Sequence, residues 1–474
     1  MKPLKHFTKI VVTIGPASDS KKVLRELLLA GMNVARLNFS HGQYAEHADR
    51  IQRLRATAEE LDLPLMLLQD LQGPKIRVGD LPPQGILLYP DDQLTLVPIA
   101  DYQGQNQTVG IDYPYVAEEA RPGTQVLLDD GLLELRVESI NQSAVTCQVI
   151  KGGILKSHKG VNFPDLDLRL PSMTEKDERD LDFGLEQGVD IVSLSFVRKP
   201  EDIQALKTLL KQKGADVPVL AKLEKPQAIA NLEAIADECD AIMVARGDLG
   251  VEMSPEKVPL IQKQIIRLCN QKGIPVITAT QMLDSMIHNP RPTRAEASDV
   301  ANAIIDGTDA VMLSGESAVG DYPVESVKML ARIAETVEPS TTFPNYEPIY
   351  PGDTDAVSEA LRAIIDTINI HCIIALTETG YTAKLVSEER LHSPIVAYTP
   401  NPKTYRQLSL NWGVRPILLN FPLGGFEDVL PLIEKDLLRR KFAQVGDKVV
   451  IIGGIPMGNT GGTNFLKIHT LALA

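Results

Sequence analysis

The pattern of hydrophobic and polar residues along the chain switches repeatedly between one typical of strands and one typical of helices. Short apolar runs typical of buried strands alternate with stretches of helical period, first up to about residue 73 and again after residue 171. Clear strands are predicted at residues 8–14, 217–221 and 241–245. The total is about eight strand–helix units, the number found in a closed parallel barrel. We therefore predict an α/β protein built on a (β/α)8 TIM barrel. An open doubly wound sheet is the alternative, although no glycine-rich dinucleotide pattern follows the first strand.

The pattern changes twice along the chain. From about residue 74 to 170, short alternating strands and turn residues predict a small all-β domain inserted into the barrel. A Pro-, Tyr- and Glu-rich stretch without periodicity follows residue 338, and strand–helix alternation then returns. We predict a barrel at residues 1–73 and 171–338, a β domain at 74–170, and a C-terminal α/β domain with a mainly parallel sheet at 339–474.

Charge and composition narrow the classes of partner. The 474 residues carry a net charge of -14, which argues against nucleic acid or an anionic membrane as the main partner but leaves small anions open. The four cysteines show no zinc or disulfide spacing, and no apolar run has the length of a secretory signal or membrane span. We expect a cytoplasmic protein that acts on small molecules.

Two predicted strands end in groups suited to phosphoryl chemistry. Lys222 and Glu224 share one face just beyond residues 217–221, and Asp248 follows the next strand. One ammonium and two carboxylates are poorly suited to a core. They are well suited to holding Mg²⁺ beside a phosphoryl group. The alternative is a surface ion pair and a turn aspartate.

A second polar cluster interrupts an otherwise apolar barrel strand. Arg36, Asn38 and Ser40 alternate on one face of residues 33–40, where a parallel strand is expected to be apolar on both faces. This pattern indicates a site at the strand end, and an exposed edge strand is the alternative.

Motifs along nearly the whole chain resemble the pyruvate kinase family, specifically its potassium-independent bacterial branch. The shared motifs lie at residues 13–18, 33–42, 72–77, 159–162, 222–224, 245–250, 278–283, 290–296 and 312–316. The resemblance implies a TIM barrel with a mobile β-barrel lid and a C-terminal regulatory domain. It implies a Mg²⁺-dependent enzyme, with Mn²⁺ able to replace Mg²⁺, that transfers phosphoryl from phosphoenolpyruvate to ADP to give ATP and pyruvate, the last step of glycolysis. It also implies a homotetramer.

The resemblance assigns roles position by position. Lys222 and Arg36 meet the transferring phosphoryl group, and Thr280 lies by the enolate carbon. Glu224 and Asp248 hold the divalent metal. The substrate carboxylate is bound by backbone at a helix start, a natural anion site, formed by Ala245, Arg246, Gly247 and Asp248. The nucleotide side comprises Asn38, His41, Arg77 and the lid residue Lys159, and the lid residue Asp130 helps to close the site.

Protonation of the enolate is assigned less directly. Thr280 can position a water molecule, and Ser314 with Glu316 can complete a proton path. The alternative for residues 314–316 is simple turn chemistry.

One departure from the family concerns the monovalent cation. Family members that need K⁺ hold it with residues matching Asn38, Ser40, Asp70 and the carbonyl of Leu71. Those members carry Thr, Lys and Glu at positions 71, 72 and 75, where this chain has Leu71, Gln72 and Lys75. We predict that the Lys75 ammonium replaces the cation, so that K⁺ is not required. The alternative is that Lys75 points to solvent.

A second departure concerns regulation. The residues that match the family's effector loop, with hydroxyls and amides that suit a phosphate, are Thr377, Thr379, Gly380 and Thr382. Responders to fructose 1,6-bisphosphate typically carry Lys where this chain has Glu378, and residues 454–459 replace their Trp/Arg-bearing loop. We predict a sugar-monophosphate or AMP effector, with a plain helix cap as the alternative. Since the chain stops at Ala474, we expect no extra C-terminal domain of the kind some bacterial members have.

Two rival functions use the same residues. A Mg²⁺-dependent pyruvate aldolase or lyase on a related barrel would explain Glu224 and Asp248, but it would not need Lys222, a lid or Lys159. A non-catalytic metabolite sensor should have lost Lys222, a metal ligand or Thr280, and none of them is lost.

Overall fold

The computed structural model describes residues 6–164, 166, 168–344, 346, 352–421, 425–456 and 462–472. Eight parallel strands pair in chain order, and the eighth closes on the first, so the predicted TIM barrel is confirmed. The barrel strands are Lys9–Thr13, Val34–Asn38, Met66–Asp70, Ile191–Leu194, Val219–Leu223, Ala241–Ala245, Val276–Ala279 and Ala310–Leu313. Successive residues face opposite sides: Val11 lies inside the barrel, and Val12 lies in the layer between strands and helices.

The barrel helices begin at residues that satisfy their free amides. Ser20 accepts a hydrogen bond from the Val23 amide, and Thr174 and Thr293 each form a capping box. The helices are Lys21–Ala30, Tyr44–Glu60, Glu175–Glu186, Pro200–Gln212, Pro226–Ala230, Leu232–Glu238, Arg246–Glu252, Val258–Lys272, Arg294–Ile305, Gly315–Ala318 and Pro323–Val337. In the described part of the chain, no helix has both the length and the apolar character needed to span a membrane.

The inserted domain is a small closed β structure. Its strands are Ile86–Leu88, Gln93–Pro98, Thr108–Ile111, Gln125–Leu128, Leu133–Asn141, Ala144–Lys151, Gly153–Leu155 and Val161–Asn162, with one short helix at Val116–Glu119. Six of these strands form one sheet, and the strands at residues 86–88 and 153–155 form a separate ribbon. Residues 77 and 78 bridge to Gly160 at one edge of the large sheet and to Ile111 at the other edge. This bridging closes the sheet into a barrel.

The C-terminal domain is the predicted α/β unit with a mainly parallel sheet. Four strands are parallel, and the last is antiparallel at the edge. The strands are Cys372–Leu376, Ile395–Thr399, Val414–Leu418, Lys448–Gly453 and Phe465–Thr470, and the helices are Asp353–Thr367, Tyr381–Glu388, Pro402–Gln407 and Phe426–Arg440. The exact domain boundaries remain predictions.

The C-terminal domain packs against the end of the barrel where the strands begin. Leu410 inserts among the side chains that fill the barrel interior. Arg406 donates to Asp190, just before the fourth barrel strand, at 2.7 Å. The Trp412 ring stacks on Phe7, with ring centroids 4.6 Å apart. The lid and the polar residues predicted at the strand ends lie at the opposite end of the barrel, where the strands finish.

Candidate active site

Asp70 is the shared counterion of the two predicted phosphoryl-binding cations. It ends the third barrel strand and is 1% exposed. Arg36, on the neighbouring strand, reaches Asp70 Oδ2 from Nε at 2.7 Å and from Nη2 at 2.6 Å. The Nζ atom of Lys222 lies 3.4 Å from Asp70 Oδ1. Burial raises the pKa of Asp70, but the charges of Lys222 and Arg36 outweigh burial, and the net pKa is lowered. Asp70 is therefore an anion that positions both cations.

Lys222 is fixed by three oxygen atoms. Its Nζ lies 2.9 Å from Glu224 Oε1 and donates to Ser195 Oγ at 2.8 Å, in addition to the Asp70 contact. Burial by itself lowers the pKa of Lys222, but the charges of Asp70 and Glu224 outweigh it and raise the pKa above its usual value. Lys222 is a charged, largely desolvated ammonium held in one position.

Glu224 and Asp248 form a pair of carboxylates suited to a hard divalent cation. Glu224 is 1% exposed, and its Oε2 accepts the Phe196 amide at 2.7 Å. Burial raises the pKa of Glu224, Lys222 opposes this shift, and the negative charge of Asp248 adds to it. A bound cation would relieve this repulsion, so the residues present fit a divalent metal. Among the described residues, no larger cluster of His, Cys, Asp and Glu is arranged to hold one.

Thr280 lies against the start of helix Arg246–Glu252. The Gly247 amide donates to Thr280 Oγ1 at 2.7 Å, and Thr280 Oγ1 donates to the Ala279 carbonyl at 2.6 Å. The guanidinium of Arg246 donates to the carbonyls of Ala279 and Thr280 at 3.1 and 2.8 Å. Thr280 has φ of 66°, a strained conformation for a β-branched residue. The Arg246 side chain thus holds Thr280, and anion binding by the backbone of residues 245–248 stays a prediction.

Lys75 lies between the barrel and the lid. Its Nζ is 3.3 Å from Asp248 Oδ1 and 3.7 Å from Asp130 Oδ1 in the lid, and its side chain is 23% exposed. These ion pairs contradict the alternative in which Lys75 extends into solvent. Its ammonium lies beside the carboxylate predicted to bind metal.

Three of the four residues predicted to hold a monovalent cation, Asn38, Asp70 and Leu71, have partners for these oxygens within the chain. Asn38 Oδ1 accepts the Ser40 amide at 3.1 Å, and the Leu71 carbonyl accepts Ser195 Oγ at 2.7 Å. Asp70 is neutralised by Arg36 and Lys222. Independence from K⁺ stays a prediction.

The residues predicted to bind the nucleotide form two groups, one half in the lid and the other half on the barrel. In the lid, Lys159 pairs with Asp129 at 2.8 Å, and Arg77 donates to the His158 carbonyl at 3.1 Å. Asn38 ends the second barrel strand, and His41 lies just beyond it. No hydrogen bond or ion pair of the described residues joins the two halves.

Glu316 holds two turns through its carboxylate. One oxygen accepts the Leu283 amide at 3.0 Å, and the other accepts the Ser314 amide at 2.8 Å. Glu316 is 1% exposed. These bonds favour the turn-chemistry alternative, and a proton path through Ser314 and Glu316 remains a prediction.

The predicted effector loop precedes helix Tyr381–Glu388. The Gly380 amide donates to Thr377 Oγ1 at 2.9 Å, and Gly380 has φ of 92°, which favours glycine. The Thr382 hydroxyl pairs with that of Thr463 at 2.9 Å, and Thr379 completes the turn. In the loop at 454–459, residues 457–459 lie outside the described residues.

Sequence reasoning missed two contributors to the site and the observed role of a third. Asp70 was predicted only as a ligand for a monovalent cation, although it neutralises Arg36 and Lys222. Ser195, which binds Lys222, and Phe196, whose amide binds Glu224, were not predicted at all. The alternation used for Arg36 could have revealed Ser195, since Ser193 and Ser195 alternate at the end of a buried strand. No comparable sequence pattern marks Phe196, because its contribution is a backbone amide.

Comparison with known proteins matches two segments of the chain, which together cover most of it, to one family. The family model described as "Pyruvate kinase, barrel domain" matches residues 5–327, and "Pyruvate kinase, alpha/beta domain" matches residues 355–469. "Pyruvate kinase 2" of Synechocystis sp. is 48% identical over 477 residues, covering 99% of this chain and 80% of that protein. "Pyruvate kinase" of Clostridium acetobutylicum is 42% identical over 470 residues, covering 98% and 99%. "Pyruvate kinase" of Staphylococcus aureus is 43% identical over 475 residues, covering 98% and 80%.

Proposed function

The chain belongs to the pyruvate kinase family, and we propose how its residues perform the family's reaction. The enzyme transfers the phosphoryl group of phosphoenolpyruvate to ADP, giving ATP and pyruvate in glycolysis. One observation carries our assignment of roles: the ammonium of Lys222 and the guanidinium of Arg36 share the buried carboxylate of Asp70 beside Glu224. Phosphoryl transfer depends on positioning and charge neutralisation more than on covalent catalysis, and this cluster supplies both.

Lys222 and Arg36 stabilise the charge of the transferring phosphoryl group. Both cations are fixed before substrate binds, because Asp70 holds them and Ser195 and Thr13 accept further hydrogen bonds from them. Preorganised charges in a site with little water stabilise a transition state without reorganising at the moment of reaction. We propose that Lys222 stabilises the phosphoryl group during transfer, and that Arg36 binds its oxygens in the ground state.

Glu224 and Asp248 are the proposed ligands of the divalent metal that this family needs. We propose Mg²⁺, with Mn²⁺ as a substitute, since both prefer carboxylate oxygens. Bound there, the cation would neutralise charge on the substrate oxygens. The Phe196 amide holds Glu224 in place for this role.

The amides of residues 245–248 are the proposed seat of the substrate carboxylate. Thr280 Oγ1 accepts the Gly247 amide at 2.7 Å, so a substrate carboxylate can take that amide in its place. The Thr280 hydroxyl would then be available to orient a water molecule toward the enolate carbon. Thr280 is therefore assigned to the protonation half of the reaction.

Closure of the lid completes the proposed nucleotide side. Arg77 and Lys159 in the lid and Asn38 and His41 on the barrel supply groups that bind polyphosphate and ribose. Lys159 is 40% exposed and would exchange Asp129 for phosphate oxygens. Closure excludes water, so that the phosphoryl group reaches ADP rather than being hydrolysed.

Lys75 is proposed to make the enzyme independent of K⁺. We expect the wild-type initial rate of pyruvate formation from phosphoenolpyruvate, ADP and Mg²⁺ to be complete in tetramethylammonium buffer and unchanged by KCl. A Lys75→Glu variant should lose roughly 10–100-fold without KCl, because a repelling charge would face Asp248, and should regain part of that rate with KCl.

Charge reversal at Lys156, an exposed lid lysine, is the matched control for that experiment and should leave the rate unchanged. A wild-type rate that appears only after KCl is added would keep the reaction but refute the role of Lys75. If the wild type forms no pyruvate in either buffer, even with sugar phosphates present, the proposed function is refuted.

We also propose a regulatory phosphate site at the loop of Thr377, Thr379, Gly380 and Thr382, in a homotetramer. At low phosphoenolpyruvate, glucose 6-phosphate, ribose 5-phosphate or AMP should raise the rate, and fructose 1,6-bisphosphate should not, since Glu378 would repel a second phosphate. Thr382→Val, which removes the hydroxyl paired with Thr463, should reduce the activation and leave the rate at saturating substrate unchanged. Activation by the bisphosphate alone would contradict the proposal.

A further inference from the structure

A buried ion pair at the base of the lid has no role in the mechanism described above. Glu252, the last residue of helix Arg246–Glu252, is 4% exposed. Its Oε1 accepts hydrogen bonds from Lys225 Nζ and from Asn162 Nδ2, both at 2.5 Å. Asn162 belongs to the strand that returns from the lid, whereas Lys225 belongs to the barrel. One carboxylate oxygen therefore joins the lid to the barrel.

Lys225 has a second contact, which leads to the metal site. Its Nζ lies 5.8 Å from the centroid of the Phe196 ring, within reach of a cation–π interaction. The amide of Phe196 donates to Glu224 Oε2 at 2.7 Å, and Phe196 has φ of 55°. A bulky residue in this conformation is held by its surroundings, so the contacts of its ring decide where its amide points.

The Phe196 ring also packs on the segment that leads from the third barrel strand into the lid. A Cβ atom on Gly73 would lie 2.9 Å from Phe196 Cδ2, so only glycine allows this approach, and Gly73 has φ of 70°. The outgoing and returning segments are tied together, because the Val161 amide donates to the Ile76 carbonyl at 2.9 Å. Phe196 and Lys225 line, with Pro74 and Val161, a cleft of about 20 Å³, which has room for about one water.

We propose that Lys225 is a positioning residue that links the base of the lid to the metal ligand Glu224. It acts through Glu252 and Asn162 toward the lid and through Phe196 toward Glu224. The inference rests on the proposed function only in that Glu224 holds the metal. Without the Lys225 charge, Glu252 would be a buried carboxylate lacking its cation, and both the lid contact and the Phe196 ring would lose their support.

The test uses Lys225→Met in the full-length enzyme, with two measurements made without substrates. Electron paramagnetic resonance gives the Mn²⁺ affinity, and hydrogen exchange reports the amides of residues 73, 75–78 and 160–163, which we call the hinge amides. We expect Mn²⁺ affinity to fall about tenfold, as for other groups that orient a metal ligand. We expect hinge amides to exchange faster while the barrel strands keep their protection.

Three further variants keep the result decisive. Lys225→Arg restores a cation and should recover both readouts. Lys213→Met removes a more exposed lysine, which pairs with Asp182 at 2.5 Å and is remote from the lid strands, and should change neither. Asn162→Ala removes only the hydrogen bond from the lid to Glu252. It should therefore make the hinge amides exchange faster, and it should alter Mn²⁺ affinity less than Lys225→Met does. If Lys225→Met does not fold, Lys225→Gln, which retains a donor to Glu252, takes its place.

Two results would overturn the inference. One is a Lys225→Met enzyme whose Mn²⁺ affinity and hinge exchange stay within about twofold of the wild type, well short of the effect of an orienting group. The other is faster exchange spread over all barrel strands, which would mean a general structural role. Glu224→Gln in the same titration separates the two proposals: unchanged Mn²⁺ binding there would refute the metal site, and hinge exchange would still decide the lid link.

Discussion

Replacing Lys222 with methionine should lower kcat for phosphoryl transfer by about 10²–10³-fold, the range seen when one preorganised electrostatic group is removed. Methionine fills a similar volume, so packing is largely kept. Asp70 retains Arg36 as a counterion, at 2.6 Å, so the variant should remain folded. Stopped-flow or steady-state assays of pyruvate formation measure the effect.

The effect of Lys222→Met should fall on kcat rather than on metal binding. Lys222 lies 2.9 Å from Glu224 Oε1, and its positive charge disfavours a second cation there. The Mn²⁺ affinity of the variant should therefore equal or exceed that of the wild type. Lys213→Met, the remote lysine used above, is the control and should keep the wild-type kcat. A Lys222→Met enzyme within a few-fold of wild-type kcat would show that the ammonium does not act on the phosphoryl group.

Replacing Glu224 with glutamine should weaken Mn²⁺ and Mg²⁺ binding by about 10²-fold or more, since groups that merely orient ligands already contribute 10–100-fold. The amide keeps the shape of the side chain and can still accept the Phe196 amide. What it loses is the negative charge that a divalent cation requires. Metal titrations followed by electron paramagnetic resonance measure the change directly.

The pH dependence of metal binding gives a second readout of Glu224. A metal binds the deprotonated carboxylate, so affinity falls as pH decreases through the pKa of the ligand. Burial, reinforced by the charge of Asp248, raises the pKa of Glu224. The wild type should therefore lose Mn²⁺ at a higher pH than an ordinary glutamate site would, and Glu224→Gln should lack this step.

Glu338 offers a matched control for Glu224. It is also 1% exposed, burial also raises its pKa, and it also accepts backbone amides, those of Phe7 and Thr8. It lies at the opposite end of the barrel, so Glu338→Gln should leave Mn²⁺ binding unchanged. Equal losses in the two variants would show that the effect of Glu224→Gln is general destabilisation rather than loss of a ligand.

The periodicity of the chain was enough to predict the architecture. Eight strand–helix units, the switch to short alternating strands after residue 73 and the return of α/β alternation near residue 353 all correspond to observed elements. The capping box at Thr293 can also be recognised in the sequence, because it is formed by two residues only three positions apart. Such features depend on neighbours in sequence, so the sequence determines them locally.

The motifs also named most of the polar residues at the strand ends. Alternation marked Arg36, and strand position marked Lys222, Glu224 and Asp248, since the carboxyl ends of parallel strands meet at one rim. The sequence could say that these groups share a rim. It could not say that Asp70 would be the anion between Arg36 and Lys222.

Only the tertiary structure decided which side chains meet. The pairing of Lys222 with Asp70, the amide of Phe196 on Glu224 and the insertion of Leu410 into the barrel each join residues far apart in the chain. Periodicity reports the face on which a side chain lies, because the backbone repeat fixes its direction. Its partner depends on strand register, on strained turns such as Phe196, and on how domains pack, and these are set by the whole fold at once.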